Sequence, residues 1–283
     1  MRSESEIMNL IMKTAEDDDR IRAVYLSGSR VDPNATHDKY SDFDIVYIVK
    51  DIQSFTSKEQ WLERFGDRLI MQKPNDWYSH PYDYSSSQDF VYLMQFKDGN
   101  RIDLTLVDIE NIQGEIYDKE PRIILLDKDG IDGLHNIEVD DYYYIHKPSS
   151  EEFRDCCNEF WWLSINVVKG LCREELMYVK SFMECYEMDM FLKMLNWKVG
   201  IDYDFSVSIG KCYKYFKRYL CDNDMDRFTK LFPNGTYDDI WDKLFEMCKF
   251  FHEIASKVAA HFKFEYCNDE AENIMEYLKE MER

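Results

Sequence analysis

Asp42 and Asp44 stand two residues apart where the apolar run of "SDFDIVYIV" begins. Side chains alternate along a β-strand, so both carboxylates would point to one face with their Cα atoms about 7 Å apart. Two such groups repel each other unless a cation lies between them, and hard oxygen ligands suit Mg²⁺, which also binds water and substrate phosphates. The pair predicts a magnesium site, whereas most isolated Asp-x-Asp pairs are solvated loop ends.

A small-residue turn precedes this pair. Gly28 ends the apolar run "IRAVYLSG", and Ser29 and Arg30 follow it. Glycine allows close approach of the backbone to a ligand, and successive N–H groups in such a turn can bind an anion. The guanidinium of Arg30 adds a fork suited to phosphate. The turn therefore predicts a phosphate site beside the metal, although a plain hairpin has the same local pattern.

A third carboxylate occurs later, in "RIDLTLV". Asp103 alternates with Ile102 and Leu104, so it faces away from the apolar set of its strand. If this strand lies beside the Asp-Phe-Asp strand, the three carboxylates share one face. They could then hold a metal and take a proton from an attacking hydroxyl. The alternative is an acid on the solvated face of a hairpin.

The elements that would position these residues are mixed α/β. Apolar spacing predicts a helix over residues 5–16, and β-branched and aromatic residues predict strands over 21–28 and 44–50. Residues 90–107 read as a hairpin that turns at Asp98-Gly99-Asn100, and 122–127 as a further strand.

The second half is predicted to be helical. Ser149 followed by Glu152 has the spacing of a helix capping box, and residues 237–263 carry apolar side chains three or four apart. Gly200 would end the helix that contains Phe191 and Leu195. We therefore predict an α/β domain over 1–147 and a helical domain over 148–283.

The charge balance narrows the range of partners. The chain has 283 residues, with 35 Lys plus Arg against 56 Asp plus Glu, a net charge of −21. This surface repels a nucleic-acid backbone and favours a cationic small molecule, although solubility alone would also account for it. Neither a signal peptide nor a membrane span of about 18 apolar residues is recognisable. The eight scattered cysteines lack zinc-site spacing, which indicates reduced, mostly buried thiols and a cytoplasmic location.

The segments "SGSR", "SDFDIVY" and "RIDLTL" together resemble the signature of the nucleotidyltransferase superfamily. More closely, "GDRLIMQKP", "FKDGNRIDLTL", "DCCNEFWWLSINVVKGL" and "KCYKYFKRYL" resemble the aminoglycoside 6-adenylyltransferases, which modify streptomycin. The resemblance implies an α/β nucleotidyltransferase (polymerase-beta-like) N-terminal domain with a mixed sheet. It also implies an all-α helical bundle at the C-terminus and an active site in the cleft between the domains.

What the resemblance implies for the residues and the reaction is specific. Gly28 and Ser29 match the family's phosphate-holding turn, Asp42 and Asp44 its magnesium ligands, and Asp103 its third acid. The expected reaction is Mg²⁺-dependent transfer of AMP from ATP to a hydroxyl of streptomycin, at position 6, giving aminoglycoside resistance. Residues 75–90 depart from the family pattern, which bears on acceptor specificity if this loop touches the substrate. A lincosamide or a protein side chain is an alternative acceptor. A non-catalytic nucleotide-binding module is the alternative from another class.

A polar strip is predicted on the first helix of the second half. Asp155, Glu159, Trp162 and Lys169 recur at helical spacing, with Asn166 between them. The acids could receive the guanidinium groups of streptomycin, Trp162 could offer a ring face to a cation, and Lys169 could reach an ATP phosphate. The alternative is an ordinary solvated helix face with i,i+4 pairs.

Overall fold

The computed structural model describes residues 1–78, 89–112, 120–135 and 142–282. The chain divides into two folded units, Met1–Tyr142 and Tyr143–Arg283. The predicted domain limits, 1–147 and 148–283, remain predictions. Most of the 75–90 segment that departs from the family pattern, residues 79–88, lies outside the described residues.

A mixed β-sheet forms the centre of the first unit. Among the described residues it has six strands: β1 Ile21–Leu26, β2 Phe43–Val49, β3 Arg68–Gln72, β4 Phe90–Phe96, β5 Arg101–Asp108 and β6 Ile123–Asp127. Their order in the sheet is β3-β4-β5-β2-β1-β6. Of these strands only β2 and β5 pair in parallel, and the other neighbouring strands are antiparallel. The predicted mixed sheet, including the β4–β5 hairpin, is confirmed.

Short helical segments connect the strands. Helix α1 begins after a capping box, in which Ser3 and Glu6 bond to each other's backbone N–H groups, and buries Ile7 and Ile11. The α-helices of this unit are α1 Glu4–Glu16 and α2 Gln53–Thr56. The 3₁₀ segments are Gly28–Arg30, Glu59–Phe65, Pro74–Asp76 and Ile109–Asn111.

Two apolar clusters pack on opposite faces of this sheet. The larger cluster includes α1 and the alternate residues Ile102, Leu104 and Leu106 of β5, which are fully buried. The smaller cluster covers the other face around Ala23 and Ile48, on β1 and β2. Asp103 lies between buried neighbours and is therefore on the face opposite the larger cluster, as its alternation predicted.

The described part of the second unit is helical. Helix α3 begins at the predicted capping box, since Ser149 and Glu152 each bond to the other's backbone. In helix α8, Tyr237–Phe262, the predicted apolar face is buried: Ile240, Leu244 and Phe251 are fully inaccessible. The α-helices are α3 Ser150–Cys172, α4 Leu176–Ser181, α5 Met188–Asp202, α6 Phe216–Tyr219, α7 Asp222–Thr229, α8 Tyr237–Phe262 and α9 Asn268–Met281. A π-helical turn, Phe182–Glu187, joins α4 to α5.

Two sequence predictions in this unit are wrong. Gly200 does not end its helix: α5 continues to Asp202, and a Cβ on Gly200 would lie 2.7 Å from Cδ1 of Phe205. The glycine is therefore needed for close packing. The thiols are not mostly buried, because Cys156, Cys157 and Cys248 are buried while the other five cysteines are exposed. All eight are free.

Within the described ranges, no helix combines the length and the apolar character that a membrane crossing requires.

Candidate active site

The parallel pairing of β2 with β5 brings the predicted carboxylates together. Asp44 and Asp103 are direct register partners on these neighbouring strands, and Asp42 immediately precedes β2. Register partners in adjacent strands share one face, with backbones about 4.8 Å apart. Asp42, Asp44 and Asp103, called here the acid trio, therefore converge on the face opposite the larger core.

The Gly28–Ser29 turn lies against this trio. The N–H of Ser27 donates to the carbonyl of Asp44 at 3.0 Å, which fixes the end of β1 beside β2. Gly28 has a φ of +66°, and a Cβ there would lie 2.8 Å from Cγ of Asp44 and closer still to its carboxylate. Only glycine gives both this backbone conformation and this space. The sequence therefore places its glycine where the turn meets the Asp44 carboxylate.

Arg101 completes the cluster, and it was not among the sequence candidates. Its Nε and Nη2 donate to Oδ1 and Oδ2 of Asp103, both at 2.7 Å, and Nε lies 3.6 Å from Oδ2 of Asp42. The hydrogen bonds to Asp103 raise the pKa of the guanidinium, which carries a positive charge in any case. Arg101 thus partly neutralises the trio.

Burial and mutual repulsion affect Asp44 most. Loss of solvent raises the pKa of its carboxyl to about 6, and the negative charges of Asp103, Asp42 and Glu120 add to the effect, while Arg101 opposes it. A buried carboxyl among other carboxylates is stabilised by a cation. Glu120 is a fourth acid near the site, and sequence reasoning missed it because it lies outside any regular pattern.

Arg30 has partners different from those expected of a phosphate ligand. Its Nε donates to the carbonyl of Asp42 at 2.7 Å and its Nη2 to the carbonyl of Ser41 at 2.8 Å, while Nη1 pairs with Glu4 at 3.1 Å. The guanidinium also stacks on Phe43, 3.7 Å from the ring centroid, and its side chain is 7% exposed. The guanidinium nitrogens therefore hold the backbone at Ser41 and Asp42. This arrangement does not support the predicted contact between Arg30 and a phosphate.

The donor chemistry of the trio fits a magnesium ion, since carboxylate oxygens are its preferred ligands. The room left at Gly28 for the Asp44 carboxylate also fits, because a Cβ would fill it. However, no three acids, histidines or cysteines of the described residues are already arranged to hold a metal ion. Arg101 bonds to both oxygens of Asp103, so a metal that used Asp103 would compete with this ion pair.

The predicted polar strip of α3 is on the surface of the second unit. Asp155, Glu159, Trp162 and Lys169 are exposed, with 61% of Trp162 accessible, while Trp161 beside them is buried. Asp155 forms an exposed ion pair with Arg154, 3.0 Å long. Exposure agrees with either a ligand-binding face or a solvated one, so the four residues remain candidates.

Sequence relatives assign the chain to a family. The family model described as streptomycin adenylyltransferase matches residues 1–281. An aminoglycoside 6-adenylyltransferase of Campylobacter jejuni is 39% identical over 94% of this chain and 91% of its own length. That of Bacillus subtilis (strain 168) is 36% identical over 98% and 97%, and that of Staphylococcus aureus 33% identical over 99% and 98%.

A crystal structure described as an aminoglycoside 6-adenyltransferase from Bacillus subtilis has 34% identity, covers 99% of both chains and has a TM-score of 0.49. The relatives named above are enzymes of the nucleotidyltransferase class, and this chain is likewise an enzyme of that class. It belongs to the streptomycin adenylyltransferase family. The resemblance drawn from its sequence motifs is thereby confirmed.

Proposed function

We propose that this enzyme has a nucleotidyltransferase fold and transfers AMP from ATP to a hydroxyl of streptomycin, at position 6, releasing pyrophosphate and conferring aminoglycoside resistance. The observation that carries this proposal is the convergence of Asp42, Asp44 and Asp103 beside the Gly28–Ser29 turn. The names of its relatives supply the acceptor class and the transferred group.

Each residue of the site has a separate task in this proposal. Asp42 and Asp44 hold the metal, and Asp103 accepts the proton of the attacking hydroxyl or supports the metal. The turn of Gly28 and Ser29 offers backbone N–H groups and a hydroxyl to the phosphates. When bound, Mg²⁺ supplies charge that polarises the α-phosphate and stabilises the leaving pyrophosphate.

Arg30 is given a positioning task instead of phosphate binding. By holding the carbonyls of Ser41 and Asp42, it fixes the chain just before β2 and thus the direction of the Asp42 side chain. Arg101 keeps the acid trio together by neutralising part of its charge until a metal binds. Arg30 therefore stabilises the site through the backbone, and Arg101 through its ion pairs with Asp103 and Asp42.

The acceptor is proposed to be a cation. The net charge of −21 favours the approach of a positively charged drug. Asp155, Glu159 and Trp162, exposed on α3, are proposed contacts for its guanidinium groups, and Lys169 for an ATP phosphate.

The test is pyrophosphate release from ATP and Mg²⁺ with a panel of acceptors: streptomycin, kanamycin, spectinomycin and a lincosamide. We expect release with streptomycin that stops when Mg²⁺ is chelated. Release only with spectinomycin or kanamycin would reject streptomycin as the acceptor. No release with any acceptor, together with retained ATP binding, would support a non-catalytic nucleotide-binding module.

A further inference from the structure

A hollow of about 680 Å³ lies on the sheet of the first unit, next to the acid trio but outside it. This volume is in the range of small-molecule sites, roughly 300–1,000 Å³. Its wall includes residues of β3 and β4, the segment after β3, and the first residue of β5. Its lining includes Ile70, Gln72, Trp77, Leu93, Gln95 and Arg101.

Strand register connects this hollow to the site. Gln72 pairs with Leu93, Leu93 with Asp103, and Asp103 with Asp44, so the four residues form one row across β3, β4, β5 and β2. Directly opposed residues share a face of the sheet, and neighbouring strands are about 4.8 Å apart. The hollow therefore begins one strand away from Asp103.

The order of the strands places the hollow and the Gly28–Ser29 turn on opposite sides of the trio. The turn follows β1, on the β2 side of Asp44, whereas Leu93 and Gln72 lie on the far side of Asp103. Displacement at phosphorus is in line, so the attacking and leaving oxygens lie on opposite sides of the phosphorus atom. If the turn holds the leaving phosphates, the nucleophile approaches from the far side of the trio, which is the side on which the hollow lies.

The lining suits a polyhydroxylated cation. Trp77, 46% exposed, and Leu93 offer apolar surface to a sugar ring, while the amides of Gln72 and Gln95 can bond to hydroxyls. The two cations of the lining are both paired: Lys73 contacts Glu59 and Asp76, and Arg101 contacts Asp42 and Asp103. Of these four carboxylates only Asp76 lines the hollow, but the four together outnumber the two cations, so the surroundings of the hollow favour a positively charged ligand.

We propose that this hollow is the acceptor subsite, an assignment that rests on the proposed adenylyl transfer and deepens it. The acceptor hydroxyl attacks from the hollow and gives its proton to Asp103 or to a water held there. A bond forms between its oxygen and the α-phosphorus of ATP. The bond from that phosphorus to the bridging oxygen breaks, and pyrophosphate leaves with the electron pair.

The experiment compares two neighbouring residues of β3 that are equally exposed, Ile70 at 67% and Leu69 at 69%. Ile70 lines the hollow and Leu69 does not. Streptomycin is titrated by calorimetry into wild type, Ile70→Lys and Leu69→Lys, each holding Mg²⁺ and a non-hydrolysable ATP analogue. We expect affinity for streptomycin to fall about tenfold or more in Ile70→Lys, because a new like charge faces the cation, and to change little in Leu69→Lys.

The analogue is titrated separately into all three proteins. Equal affinity for it in all three is expected, because the nucleotide is assigned to the other side of the trio. Unchanged streptomycin affinity in Ile70→Lys would overturn the subsite, and so would loss of analogue affinity in that variant alone, which would assign the hollow to the nucleotide. Wild type that binds streptomycin without releasing pyrophosphate from ATP would refute the proposed reaction, while the paired variants would still decide the binding site.

Discussion

Arg101 and Asp103 stand two residues apart on β5 and form a two-pronged ion pair, with both N–O distances 2.7 Å. Because these residues point to the same face of one strand, the carboxylate is paired by a cation encoded next to it. The same guanidinium lies 3.6 Å from Asp42. Arg101 therefore contacts two of the three acids that are proposed to hold the metal.

Arg101→Gln should strengthen Mg²⁺ binding in the absence of nucleotide. Removing the competing cation lowers the positive charge beside Asp42 and Asp103, so both acids attract the ion more strongly. Partly exposed pairs of this kind contribute about 1 kcal/mol or less, so a severalfold effect is expected. Calorimetric titration with Mg²⁺ measures it.

Arg22→Gln is the matched control. Arg22 also pairs with an aspartate through two nitrogens, to Asp129, at a surface site that includes none of the acid trio. The Arg22→Gln substitution should leave the affinity for Mg²⁺ unchanged. Equal Mg²⁺ affinity in Arg101→Gln and wild type would contradict the competition.

Gly28→Ala should disrupt the site more than its backbone strain alone explains. The added Cβ would lie 2.8 Å from Cγ of Asp44 and force that carboxylate to move. Gly130→Ala is the control, because Gly130 has a nearly equal φ of +65° but nothing within 4 Å of its Cβ position. Gly130→Ala should lose about 1 kcal/mol of stability from backbone strain alone, and Gly28→Ala at least as much, measured by urea unfolding. Only Gly28→Ala should lose adenylyl transfer, and equal activity in the two variants would show that the contact with Asp44 is unimportant.

Local patterns predicted much of this fold. Alternation of Ile102, Leu104 and Leu106 with Asp103 gave both the β5 strand and the face of the acid, because a strand with one buried face has a period of two. Capping chemistry gave the start of α3, since Ser149 and Glu152 satisfy N–H groups that any helix leaves unpaired.

Features that depend on distant contacts were not predictable in this way. Edge strand β3 was missed because Leu69 and Ile70 are adjacent and both exposed, so alternation is absent. The role of Arg101 needed the pairing of β5 with β2, which brings Asp42 within reach. A usable signal did exist, because Arg101 and Asp103 are separated by one residue. Side chains at this spacing lie on the same face of a strand, where opposite charges can pair.

Asp103→Asn should separate two roles for this acid. As the base, it is needed for proton transfer but not for nucleotide binding, so Mg·ATP affinity should be nearly normal while turnover falls by about 10²–10⁴-fold. Both quantities are measured on one preparation, with thermal unfolding as the check on folding. Weakened Mg·ATP binding, with activity restored by more Mg²⁺, would instead make Asp103 a metal ligand.

Glu187 predicts a pH-dependent stability. Its carboxyl is fully buried in the second unit, where it accepts from Ser164 at 2.6 Å, and burial raises its pKa from 4.5 to about 8. Because the folded pKa is raised, the folded state binds the proton more tightly. The contribution of this carboxyl to the free energy of unfolding is therefore fully present below about pH 4.5. That contribution falls by about 1.4 kcal/mol per pH unit as the pH rises towards 8.

Glu187→Gln should remove this dependence, since glutamine stays neutral and can still accept from Ser164. Relative to wild type, it should gain stability between pH 5 and 8, by a few kcal/mol at the upper end. Unfolding is followed across this range, with Glu184→Gln as control, because Glu184 belongs to the same π-helical turn but is exposed and paired with Lys180. A constant difference between wild type and Glu187→Gln at every pH would refute the buried titration.

The most direct test of the central claim is the mass of streptomycin after incubation with ATP and Mg²⁺, measured for wild type, Asp42→Asn and Asp44→Asn. Wild type should yield streptomycin carrying one AMP and an equal amount of pyrophosphate. Each variant keeps the shape of the side chain but loses a negative charge, so product formation should fall by orders of magnitude with little change in thermal unfolding. Unmodified streptomycin with wild type, or product at the wild-type rate with either variant at saturating Mg²⁺, would contradict the account.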